Sequence, residues 1–352
     1  MARRLAFVVA ALLALSVLLE GGAWIAEALL AHGPRSLPTP DPSHDPAMIQ
    51  KMAAANDGVP MQHDENRQWA MTPGIRLVNR FGLVMRINRL GMRGPAVTPR
   101  AVGEERLLSL GDSTAFGVNV AEQQVYSSVA AQKLAKHLGR PVSSMIGATP
   151  GHDSWMALQT LMLHGAAVQP TWVIIATLWS DVVYQRGPHM SFSSLQEGAL
   201  SLRGVLDSLA LYRLVRRALQ PWLRSSRVLW AASNDDIGPD PRGTLSRVPL
   251  AAYIRNLRAL VAHTRSLKAR PVLLLLPAPM DFDSMPPLET VQVYRDAMRR
   301  VAAEQRVILV DGPDYFRKNG GTAGHFLDNV HPGPAGHALL GQALAEAMAA
   351  AR

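Results

Sequence analysis

Cysteine is absent from all 352 residues. Disulfides, thiolate nucleophiles and cysteine-ligated metals are thereby excluded, while the redox compartment stays open. No internal repeat is evident, and nothing resembles a nucleic-acid-binding motif. The net charge of +9, carried largely by arginine, suits a solvated basic face or anionic surroundings such as a membrane surface or an acidic polymer. What the chain does have is apolar content: 48% hydrophobic residues over this length argue for a large core and against disorder.

Ala2, Arg3 and Arg4 precede an uncharged apolar run, residues 5–19, followed by Glu20. Basic residues before such a run define an export signal that leaves Arg3 and Arg4 in the cytoplasm. As a helix, the run spans only about 22 Å, short of a hydrocarbon core of ~30 Å. Extension to Ala26 supplies the missing length and sets Glu20 near one interface, whereas Ala26-Glu27-Ala28 offers a signal-peptidase site. The expectation is a membrane anchor with the rest of the chain outside the cytoplasm, periplasmic in a Gram-negative cell. The alternative is secretion after cleavage. Prolines 34, 38, 40, 42, 46 and 60 make the next stretch a tether. The division is therefore residues 1–31 as anchor or signal, 32–85 as proline-rich tether and irregular lead-in, and 86–352 as one domain.

Within that domain, apolar runs alternate with helical periodicity. Strands are expected at 107–110, 142–146, 172–176, 272–276 and 307–310. Helices are expected at 122–138, 154–164, 249–267, 292–304 and 336–350. In the first of these, Val125, Val129, Leu134 and Leu138 form the expected buried stripe; in the third, Pro249 takes the first position. Continuous apolar strands between helices predict an α/β fold with a parallel sheet covered on both faces. Residues 184–247 interrupt the alternation as an insertion, with a helix-like stretch at 202–223 bearing Arg203, Arg213, Arg216 and Arg217. That stretch reads as a cap contacting an anionic membrane, a lid over an acyl pocket, or a helix with a solvated basic face.

Two short motifs carry the chemistry. Gly111-Asp112-Ser113-Thr114-Ala115-Phe116-Gly117 follows the first strand, and Asp328-Asn329-Val330-His331-Pro332 precedes the last helix. A serine hydroxyl needs an adjacent base to take its proton as it attacks. An imidazole, titrating near pH ~6.5 when unperturbed, suits that task, and a carboxylate beside it fixes its tautomer. Read alone, Ser113 is equally a helix N-cap and Asp112 a binder of loop amides.

In their order and setting, these motifs resemble those of the GDSL or SGNH hydrolase superfamily, and the resemblance covers about residues 88–349. It implies a three-layer α/β/α sandwich with a mostly parallel, flavodoxin-like sheet, and esterase, lipase or carbohydrate acyl-ester hydrolase activity. It makes Ser113 the nucleophile, His331 the base and Asp328 its orienting acid. The family's glycine block looks like 146–154, which puts an oxyanion donor at Gly151, with Gly147 as the second reading. The usual Gly-x-Asn-Asp block reads Leu178-Trp179-Ser180-Asp181, so that Ser180 stands where asparagine is expected. Serine offers one rotatable hydroxyl in place of two amide N–H donors. Residues 86–94, with Arg93, look like the Asn-x-x-Gly-Phe-Arg preamble of exported members; packing is expected of Arg93, with substrate contact as the alternative.

The function implied is a serine ester hydrolase acting on a small-molecule, glycan or lipid ester, with no cofactor. An O-acyltransferase modifying an envelope or exported polysaccharide would use the same acyl-enzyme, and a catalytically silent, membrane-tethered binding module is the reading from another class. A metal is not expected, because His325, Asp328, His331 and His337 match no zinc spacing. His152 is read as a loop residue lining the pocket.

Overall fold

The computed structural model of the protein describes residues 61–64, 66–78, 82–185, 237–239, 246–282 and 288–351, with Leu19, Gly21, Gly22 and Leu211 as isolated positions. The chain divides into two compact units, residues 1–45 with 194–231 and residues 46–193 with 232–352. The expected N-terminal segment, most of the tether and the 202–223 stretch lie outside the described residues. No described helix is long and apolar enough to cross a membrane.

The lead-in, expected to be irregular, contains two short antiparallel pairs. Strand β1 (Met61–Asp64) pairs with β2 (Gln68–Met71), and β3 (Arg76–Val78) with β4 (Val84–Arg86). Trp69 and Met71 of β2 are buried.

The apolar runs then build the sheet. β5 (Glu105–Gly111) is followed by one helical turn, α1 (Ser113–Phe116), and by α2 (Tyr126–Leu138), β6 (Val142–Ile146), α3 (Ser154–Val168) and β7 (Trp172–Ala176). A short helix α4 (Trp179–Val182) leads to β8 (Val183–Gln185), which pairs antiparallel with β9 (Ile237–Pro239) across the insertion. After it come α5 (Leu250–Ser266), β10 (Arg270–Leu275), α6 (Glu289–Gln305), β11 (Ile308–Asp311), α7 (Gly312–Lys318) and α8 (Pro334–Ala350).

The five long strands pair in parallel in the order β11-β10-β7-β5-β6. The chain steps one way from β5 to β6 and the other way from β7 to β11. Right-handed crossovers therefore put α2 on one face and α3, α5 and α6 on the other. Strand β7 is buried at every position, as a sheet covered on both faces requires. The direction reverses beside β5, and in open α/β sheets ligands bind at such a switch point, beyond the strands' carboxyl ends.

Boundaries differ from expectation where local geometry intervenes. Residues 122–138 are not one helix: Glu122–Gln124 form a 3-10 turn, Val125 is extended with ψ 138°, and α2 begins after it. The buried face of α2 is Tyr126, Ser127, Ala130, Ala131 and Leu134, shifted from the expected stripe. Small residues suit that face because α8 comes close, and a Cβ on Gly341 would lie only 2.5 Å from the Val129 side chain. Pro249 caps α5 from outside instead of occupying its first position. Helix α7 was not anticipated; Asp311 caps it by accepting from the Asp314 amide at 3.0 Å.

Candidate active site

The turn that carries Ser113 is shaped by two glycines. Gly111 ends β5 with φ 153°, and a Cβ there would overlap the Ala176 carbonyl oxygen of the neighbouring strand. Gly117 closes α1 in the left-handed region, φ 77°, its N–H donating to the Ser113 carbonyl at 3.1 Å. The residue that caps α1 is Asp112, not Ser113. Asp112 Oδ1 accepts from the Thr114 amide at 3.0 Å and from its hydroxyl at 2.6 Å. The Ser113 hydroxyl is thereby left to bond elsewhere.

It bonds to His331. Ser113 Oγ lies 2.8 Å from His331 Nε2, and His331 Nδ1 lies 2.7 Å from Asp328 Oδ2. Asp328 Oδ1 accepts from the amides of Val330 at 2.9 Å and His331 at 2.8 Å. Burial works to raise the Asp328 pKa, but the imidazole bond and these two amides outweigh it and hold the carboxyl at about 2. Its side chain is 54% exposed, so water adds to these bonds in keeping it an anion. An anion at Nδ1 makes that nitrogen the donor of a neutral ring, which turns the Nε2 lone pair toward Ser113 Oγ. The geometry suits proton transfer from serine to imidazole.

Two further blocks end at the same sheet edge. Gly147 N–H donates to the Ser109 carbonyl at 2.8 Å and is committed to it. Gly151 N–H and Ser113 N–H have no acceptor among the described residues. Ser180, in α4, donates its amide to Asp112 Oδ2 at 3.2 Å. One buried carboxylate therefore ties the Ser113 turn to the Ser180 segment. Asp181 faces the other way, accepting from the Ser154 amide at 2.9 Å; burial, and then the Asp153 charge, raise its pKa well above the usual carboxylate range.

The family model of GDSL-like lipases/acylhydrolases matches residues 109–339, which run from β5 into α8 and contain all of these groups. This chain belongs to that family. It is an SGNH-type esterase. Solved structures similar to this esterase include Axe2, an acetylxylan esterase from Geobacillus stearothermophilus (18% identity, TM-score 0.43, covering 69% of this chain and 94% of that one). Others are a lipase/acylhydrolase from Enterococcus faecalis (15% identity, TM-score 0.44, 69% and 94%) and LAE5, an alpha/beta hydrolase from the metagenome of Lake Arreo, Spain (17% identity, TM-score 0.43, 70% and 96%). No curated protein matches the chain.

Of the residues that support the esterase site, Arg93 packs as expected, whereas Trp69 and Arg247 escaped the sequence reading. Arg93 is only 1% exposed and does not meet substrate. Its guanidinium donates to the carbonyls of Phe116 at 2.8 Å, Gly117 at 2.7 Å and Val120 at 2.5 Å, all beyond the Ser113 turn. Its own backbone bridges to Ile146 at the end of β6. Trp69 and Arg247 hold the Gly151 loop. Neither carries a sequence signature, because each acts on backbone carbonyls far away in the chain.

The other imidazoles have separate tasks. His152 Nε2 donates to the Trp69 carbonyl at 2.9 Å, His337 Nδ1 accepts from the Tyr126 amide at 3.2 Å, and His325 Nδ1 accepts from the Thr322 amide at 3.2 Å. Burial lowers the pKa of both His152 and His337 to about 3. In the unfolded chain they titrate near 6.5, so between those values the unfolded state binds more protons. Their contribution to stability is complete above about pH 7 and declines as the pH falls through that window. Thermal unfolding followed from pH 8 to pH 4 is expected to show this decline, and His152→Gln should flatten it. A pH-independent melting temperature would contradict the buried neutral rings.

Proposed function

We propose that this esterase works through an acyl-enzyme, with Ser113 as nucleophile, His331 as base and Asp328 as the acid that orients it. The observation that carries the proposal is the unbroken chain Asp328–His331–Ser113, with bonds of 2.7 and 2.8 Å. Ser113 Oγ attacks the ester carbonyl while His331 Nε2 takes its proton. The oxyanion receives bonds from the amides of Ser113 and Gly151 and from Ser180 Oγ. The alkoxide leaves with the proton from His331; water, activated by the same ring, then releases the acid and restores the serine. The intact triad geometry speaks against a silent binding module.

The substrate class proposed is a carbohydrate or lipid acyl ester. The domain proposal is an anchor or signal segment at 1–31, a tether and irregular lead-in at 32–85 and a catalytic domain at 86–352 with an insertion at about 184–247. The catalytic domain would face away from the cytoplasm, a reading supported by Arg3 and Arg4 ahead of the apolar run 5–19.

The test is to treat the full chain with a fluorophosphonate and locate the adduct by peptide mass spectrometry, then to measure aryl-ester turnover against acyl length with and without a glycan acceptor. A Ser113 adduct and acid release are expected. An adduct elsewhere, or none, would remove Ser113 from its role, and acyl-glycan in place of free acid would make the enzyme an O-acyltransferase. Ser180→Ala is expected to lower kcat by about tenfold with KM little changed, less than the roughly 10²–10³ lost with a preorganised asparagine donor. An unchanged kcat would reduce the oxyanion hole to its two amides.

A further inference from the structure

We propose that Trp69, in the lead-in hairpin, is a positioning residue that sets the direction of the Gly151 N–H through the Pro150–Gly151 peptide. The inference rests on the reading in which that N–H receives the oxyanion.

Residues 149–152 form a β-turn, the His152 amide donating to the Thr149 carbonyl at 3.0 Å. Pro150 takes the second position, and Gly151, with φ 78°, takes the third. This is the type II form, whose third position needs a left-handed backbone. Types I and II are related by a half-turn of the middle peptide, and glycine is comfortable in both. The middle peptide here carries the Pro150 carbonyl and the Gly151 N–H on opposite edges of one trans plane. Reversing that peptide would turn the N–H away from the side on which it now lies. The turn's own hydrogen bond does not prevent this, because both forms contain it.

Trp69 does prevent it. Its indole Nε1–H donates to the Pro150 carbonyl at 3.0 Å in a buried contact. Holding that oxygen fixes the opposite edge of the same plane, which is the Gly151 N–H. The ring also closes the space beside Gly151, where an added Cβ would meet Trp69 Cζ2 at 3.0 Å.

The indole is held in turn from two sides. His152 Nε2 donates to the Trp69 carbonyl at 2.9 Å, and the Arg247 guanidinium lies over the ring at 5.2 Å. Arg247 also donates to the Gly151 carbonyl at 2.8 Å and pairs with Asp153 Oδ2 at 3.3 Å. The peptides on both sides of Gly151 are therefore anchored. A donor of this kind stabilises an oxyanion only when it is aimed before charge develops, so that no reorganisation accompanies the reaction.

The test uses the full chain with Trp69→Phe and, separately, with 3-benzothienylalanine placed at position 69. The second keeps the bicyclic shape and replaces only the N–H. Relative to wild type, kcat for an aryl ester is expected to fall by about 10–100-fold, with KM within about threefold. Binding of an alkylboronic acid, whose tetrahedral adduct on Ser113 mimics the intermediate, should weaken by the same factor, while the melting temperature of the benzothienyl variant falls by only a few degrees, the cost of one buried carbonyl left without its donor. Should Trp69→Phe fail to fold, the benzothienyl variant decides. A folded benzothienyl variant with kcat within about twofold of wild type, or a loss confined to KM, overturns the proposal. Ser113→Ala, run alongside, separates the two levels: if it retains turnover, the nucleophile reading fails and takes the latch with it. If turnover requires Ser113 and is indifferent to the indole N–H, only the latch fails.

Discussion

Aryl-ester turnover is expected to fall by about 10⁴-fold or more when either Ser113 or His331 is replaced by alanine. Without Ser113 there is no atom to carry the acyl group. Without His331 the hydroxyl loses the base 2.8 Å away and must attack with its proton still attached. Because the two act as a unit, the double variant should be no slower than either single one. The residual rate would report what the oxyanion donors and substrate binding achieve alone. Asp328→Asn is expected to cost less, about 10²–10⁴-fold. Asparagine cannot be the anion that keeps the proton on Nδ1, yet the exposure of position 328 lets water replace part of the bond. Initial rates under identical conditions, with folding checked by circular dichroism, measure all three. Substantial turnover in Ser113→Ala would end the acyl-enzyme account.

The second large effect is expected at Arg93. Replacement by methionine, which fills much of the same volume, should destabilise the fold by about 3 kcal/mol and lower turnover as well. The buried carbonyls of Phe116 and Val120 would lose the guanidinium that serves them, and that of Gly117 would keep only the Val120 amide at 3.2 Å. Burial brings the Arg93 pKa down to about 10, so the guanidinium stays charged at neutral pH, and removing it returns part of its desolvation cost. That return is why the expected loss is smaller than three lost bonds would suggest. Arg93→Lys should not rescue, since a single ammonium on a flexible stem cannot serve three acceptors in a fixed fork. Denaturant unfolding measures the first effect, and kcat on the folded fraction the second. A midpoint equal to wild type in either variant would contradict the clamp.

The sheet was legible because runs such as 172–176 are apolar without interruption, a pattern a strand buried on both faces imposes. The proximity of Ser113, His331 and Asp328 was legible because Asp328 and His331 share one loop and Ser113 follows the first strand, so their order and setting carried the family resemblance. Gly151 was placed ahead of Gly147 on the resemblance alone; that the Ser109 carbonyl takes the Gly147 amide at 2.8 Å was not legible. The partners of Arg93, and Trp69 and Arg247 altogether, were hidden for a related reason. Their partners are backbone oxygens, which every residue possesses and which leave no trace in residue type. Trp69 reaches its carbonyl across 81 residues, and Arg247 its own across 96. The hairpin carrying Trp69 was missed because Met61-Gln62-His63-Asp64 has no β-branched residue and little alternation.

Helices α2 and α8 meet where Gly341 gives way to Val129, one following the nucleophile turn and the other following the base. Serine and imidazole are 218 residues apart in the chain. During synthesis Ser113 therefore emerges long before His331, and for most of its growth the nascent polypeptide carries that serine without the imidazole beside it. The contact between them has to wait for the loop that leads into α8.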